Sequence, residues 1–61
     1  MIKSITTTTG GMIHVITGEV DYGNPDAMNI ITEMTTPVEL NAEEADQLLQ
    51  NISDVRNVMP A

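Results

Sequence analysis

Residues 12–17, Met-Ile-His-Val-Ile-Thr, are apolar on both sides of an extended backbone. Ile13 and Val15 occupy one face, and Met12, His14 and Ile16 occupy the other, because side chains alternate along a strand. A strand of this kind needs cover on both faces. The rest of the chain supplies one clear helix, which can cover only one of them. That shortfall predicts a contact with another chain, made through Ile13 and Val15 or through the opposite set, Met12 and Ile16.

The helix is marked by its own chemistry. Asn41 stands at an N-cap position, and Glu44 three residues later completes a capping box. Ala45, Leu48, Leu49, Ile52 and Val55 recur at three- and four-residue spacing, which gives one apolar stripe. Glu43, Glu44 and Asp46 lie in the first turns, where the helix dipole favours negative charge. Pro60 forbids continuation, so the pattern predicts a helix over about residues 42–57.

Ahead of the helix the sequence is β-prone. Ile2 to Thr9 is rich in isoleucine and threonine and meets Gly10-Gly11, after which the two-faced run begins. Two such runs joined by Gly-Gly predict a hairpin with a two-residue primed turn. The first strand has few apolar residues to bury and reads as an edge, or as a strand paired with another subunit. Residues 18–27 are broken by Gly18, Gly23, Asn24 and Pro25 and read as a loop. Met28 to Thr36 reads as a third strand. A helix over 25–34, capped by Asn24 with Pro25 in its first turn, is the alternative. The expected architecture is therefore α+β: a three-stranded antiparallel sheet with one C-terminal amphipathic helix packed on it, in a single small domain over residues 1–61.

Length sharpens the case for association. A chain of 61 residues buries only about 60% of the surface exposed by its unfolded form. No cysteine is present, so neither a disulfide nor a thiolate zinc site can reinforce it. The single histidine cannot complete the usual nitrogen ligand set, and no cofactor is implied. Self-association or a stable partner is the remaining route.

Charge narrows the partners. Nine carboxylates oppose two basic residues, for a formal net charge of −7. Phosphate backbones and anionic membranes both require clustered Lys and Arg, so neither nucleic acid nor a membrane is an expected partner. A larger protein with a basic surface suits the balance, as does a second copy. No apolar run approaches the length of a membrane span, and MIKSITTTT lacks the continuous apolar stretch of a signal peptide. A cytoplasmic location is the corresponding expectation.

Four groups of residues could carry a site. His14 lacks a recognisable nucleophile motif around it and is expected to make a cross-strand hydrogen bond to a hydroxyl, or to lie at an interface. The loop gathers Glu19, Asp21, Asn24 and Asp26 beside Tyr22, but the spacing does not match a helical-hand calcium loop, and a solvated turn is expected. Glu43, Glu44 and Asp46 could dock a basic partner. Met12, Met28 and Met34 could line an adaptable groove, with core filling the simpler account. Contacts to a ligand or partner are thus expected among His14, Asp21, Tyr22, Asn24, Asp26, Glu43, Glu44 and Asp46. The predicted function is non-catalytic: a small acidic assembly protein acting as a homo-oligomer, or an accessory, virus structural or inhibitory subunit docked on a larger protein. A small-ligand binder with its site between subunits is the alternative.

Overall fold

A computed structural model describes residues 1–18, 23–33 and 38–60 of the chain. Strands β1 (Ile2–Thr6), β2 (Met12–Ile16) and β3 (Asn29–Thr32) form an antiparallel sheet in the order β1-β2-β3. Helix α1 (Ala42–Val58) packs on it, which gives the predicted α+β architecture. The extended β-branched residues prevail over the alternative helix at 25–34. Residues 34–36 of the longer predicted third strand lie outside the described residues.

The predicted turn is corrected. Thr7 donates its N–H to the Gly11 carbonyl at 2.9 Å, and Gly10 N–H donates to the Thr7 carbonyl at 3.0 Å. The loop is therefore Thr8-Thr9-Gly10, one residue longer than a Gly-Gly turn and earlier in the chain. Thr8 and Thr9 keep negative φ, and Gly10 takes φ +92° to bring the chain back into register. This is the three-residue hairpin pattern, in which one glycine absorbs the left-handed step. Thr7 is buried and closes the loop with its hydroxyl, which accepts from Gly11 N–H at 3.2 Å.

Register sets the two faces. Lys3 pairs with Val15 and Ile5 with Ile13, while Val15 and Ile13 pair in turn with Ile30 and Thr32. These residues share the face under the helix. Ile5, Ile13 and Val15 are buried there against α1, whose Val55 is fully buried. Each such aliphatic side chain contributes about 1.5–3 kcal/mol when withdrawn from water. The helix backbone lies close to β1 and β2 and farther from β3. Ile30 on β3 consequently stays 53% exposed although it points to the helix side. Leu49, expected in the buried stripe, is 65% exposed. The apolar arc of the helix is wider than the two strands it covers, and Leu49 falls on its outer margin.

The start of the helix is fixed more firmly than its cap alone requires. Glu44 N–H donates to Asn41 Oδ1 at 2.8 Å, and Asn41 N–H donates to Glu44 Oε1 at 3.0 Å, closing the predicted capping box. The second carboxylate oxygen, Oε2, accepts the N–H of Thr8 at 2.6 Å. Glu44 is thus buried, and it ties the helix N-terminus to the hairpin loop. It is removed from the acidic surface where the sequence pattern placed it; Glu43 and Asp46 remain exposed. Hydrogen bonds to a charged, buried acceptor are worth about 1.5–3 kcal/mol. Glu44→Ala is expected to lower unfolding free energy by about 2–3 kcal/mol. Glu44→Gln, which keeps one acceptor oxygen, should lose less. Glu43→Ala should stay within about 0.5 kcal/mol of the parent. Urea unfolding followed by circular dichroism measures all three.

Candidate functional site

The other face of the sheet carries the polar row Ser4, His14 and Glu33. Ser4 and His14 are direct partners in the β1–β2 register. Glu33 follows Ile31, the β3 partner of His14, by two residues, and so points to the same side. Its N–H donates to the Met12 carbonyl at 2.9 Å, which carries the ladder past the end of β3. Ser4 Oγ lies 2.7 Å from His14 Nδ1, and His14 Nε2 lies 3.0 Å from Glu33 Oε2.

The carboxylate can only accept, so Nε2 carries the proton and donates to it. In the neutral ring Nδ1 then accepts from the Ser4 hydroxyl. The sequence pointed to a hydroxyl partner for His14 across the hairpin, and Ser4 fills that role. It missed Glu33, whose only signal was sharing the alternation of Asn29 and Ile31.

The order hydroxyl–imidazole–carboxylate has the form of a nucleophile relay. Among the described residues its setting lacks the rest of such a site. Acyl transfer needs N–H donors converging on the developing oxyanion. In a sheet the backbone N–H groups lie in the plane of the ladder, so none of those of β1, β2 or β3 rises over Ser4 Oγ. The Glu33 side chain is 62% exposed, which lets water compete for its bond to the ring. The row holds the ring between β1 and the end of β3. Ser4→Ala and Glu33→Gln are each expected to cost about 0.5–1 kcal/mol in urea unfolding, as partly exposed hydrogen bonds do.

Around the row the open face is apolar. Ile2 is 59% exposed, Met12 and Ile31 are half-buried, and Ile16, flanked across the ladder by Ile2 and Asn29, is buried. Ile13 and Val15, the first pair considered for an intermolecular contact, are taken up by the chain's own helix.

The remaining candidates are scattered. Asn24 Oδ1 accepts from Asp26 N–H at 2.9 Å, and Ala27 N–H donates to the Asn24 carbonyl at 3.1 Å, so Asn24 and Asp26 build a turn. Gly23 stands at φ +81°, where a Cβ would overlap the Asn29 side chain. Glu19, Asp21 and Tyr22 lie outside the described residues, as does Met34. Among the described residues no three His, Asp or Glu side chains come together as a metal site. No described helix is long and apolar enough to cross a membrane. Searches against protein-family models, curated proteins and solved structures give no significant match to the chain.

Proposed function

We propose that this chain is a non-catalytic interaction protein that assembles with copies of itself through the sheet surface its helix leaves uncovered. The observation that carries the reading is the one-sided cover of the sheet by the described elements. Helix α1 lies over β1 and β2 on one face, and among the described elements nothing lies over the other, where Ile2, Met12 and Ile31 retain exposed surface. The thin direction of the molecule measures 13 Å, about the depth of one sheet and one helix. A slab of two layers offers its second sheet face to a partner. The exposed Glu43 and Asp46 suit a second form of the same role, docking on the basic surface of a larger protein.

The Ser4–His14–Glu33 row serves this reading as a structural element. The chain is expected to hydrolyse an activated ester such as p-nitrophenyl acetate no faster than free imidazole at the same concentration. A faster rate abolished by Ser4→Ala would overturn the non-catalytic reading.

Self-association has its own signature in a chain of this charge. Two copies of an anion at −7 repel each other, and added salt screens that repulsion. Sedimentation equilibrium should give a mass above the 6.6 kDa of one chain, with association strengthening as sodium chloride is raised. A mass fixed at one chain across concentration and salt would overturn it.

A further inference from the structure

The outer edge of β1 offers a specific partner surface. Thr17 N–H donates to the Met1 carbonyl at 3.0 Å, the Met1 nitrogen donates to the Thr17 carbonyl at 2.8 Å, and Thr7 N–H donates to Gly11. Hydrogen-bonded and non-hydrogen-bonded pairs alternate along an antiparallel ladder. Lys3 and Ile5 therefore turn their backbone groups inward to β2, and Ile2, Ser4 and Thr6 turn theirs outward. Among the described residues no strand meets them. Unpaired edge groups of this kind are a template for another strand.

We infer that the occupant of this edge is β1 of a second copy, running antiparallel, with Ile2 opposite Thr6 of the other copy and Ser4 opposite Ser4. The inference rests on the self-assembly reading and adds to it a second contact, at the sheet edge, beside the face proposed above.

Charge selects the edge. The nine carboxylates lie at residue 19 and beyond, and the one charged residue of β1 is Lys3. Lys3 is paired with Asp54 of α1 at 3.8 Å, and β1 itself brings no carboxylate to the edge that a second copy would meet. The edge of β3 presents only Ile30 and Thr32 outward and leads into Glu33.

Register follows from the pairs. With Ser4 opposite Ser4, all three outward residues pair, giving on the order of six backbone hydrogen bonds, two for each of the three pairs. A shift by two residues in one direction places Lys3 opposite Lys3, and like charges directly opposite are destabilising. A shift in the other direction leaves Ile2 without a partner. In the selected register Lys3 faces Ile5 of the second copy on the helix side. On the open side the two Ser4 hydroxyls meet at the two-fold axis. The polar rows of the two copies then join into one line from Glu33 to the Glu33 of the second copy.

The test uses the absence of cysteine. Ser4→Cys places one thiol per chain at the two-fold axis. There the Cα atoms of a hydrogen-bonded pair lie about 5.5 Å apart, within disulfide range. Under mild oxidation the Ser4→Cys chain is expected to form a covalent dimer at least about tenfold faster than Thr32→Cys, whose thiol sits on the β3 edge. Thr6→Pro removes an outward N–H and leaves the β1–β2 ladder intact, so it should weaken association about tenfold or more, while Thr32→Pro should leave it unchanged. Circular dichroism confirms that each variant is folded.

A parent chain that self-associates while Ser4→Cys cross-links no faster than Thr32→Cys, or while Thr6→Pro associates normally, would overturn the β1 pairing and leave self-assembly standing. A parent chain that stays monomeric would overturn both.

Discussion

The Glu44 carboxylate holds the two halves of the molecule together. One oxygen completes the cap of α1, and the other accepts the N–H of Thr8 in the hairpin loop, 36 residues earlier in the chain. A helix can slide or rotate on an aliphatic sheet with little change in buried area, because hydrophobic contact is not directional. A charged hydrogen bond is directional. By anchoring the first turn to one loop, Glu44 sets which residues of α1 meet β1 and β2, and Val55 reaches the core as a result. The Lys3–Asp54 pair, 3.8 Å apart and partly exposed, guides the other end and contributes at most about 1 kcal/mol.

The rest of the architecture follows from this placement. A helix tied to the β1–β2 loop lies along those two strands and leaves β3 outside its footprint. The core is correspondingly small: Ile5, Ile13, Val15, Ile16 and Val55 are the buried apolar residues among those described. With no aromatic side chain among them, little apolar surface is withdrawn per residue. The sheet face and β1 edge left uncovered by the described elements result from that economy of cover, and the proposed assembly compensates for it.

The legible parts of the fold were those governed by local chemistry. Asn41 and Glu44 identify a helix start because both partners of the capping box lie within one turn. The alternation in β2 assigned Ile13 and Val15 to one face and Met12, His14 and Ile16 to the other, as the structure does. The errors came where a distant group decides. Gly10-Gly11 suggested a two-residue turn, but the Thr7 hydroxyl seals a longer loop and the Thr8 N–H is aimed at the helix. Glu44 looked like surface charge because its inward turn depends on that same N–H. The His14 hydroxyl partner was accessible from hairpin pairing. Glu33 was not, since the β2–β3 register spans a loop whose length no local pattern fixes. Of the expected contact residues, the structure gathers His14 with Ser4 and Glu33, leaves Asn24 and Asp26 in a turn, and exposes Glu43 and Asp46 on the first turns of the helix.

The distance of α1 from β3 also shapes how the molecule opens. β1, β2 and α1 are locked by a shared core and by Glu44, so they should unfold together. β3 is attached to β2 alone among the described elements, with Ile30 contributing little burial. Segments with few buried contacts open at lower free energy than the units they border. The molecule is therefore built as a cooperative β-hairpin–helix unit with a more loosely attached third strand. Amide protons of Asn29 and Ile31 should exchange through local opening, while those of Ile13 and Val15 bonded to β1 wait for the whole unit. Stability in this chain is graded across the sheet, highest beneath the helix and falling toward the β3 edge.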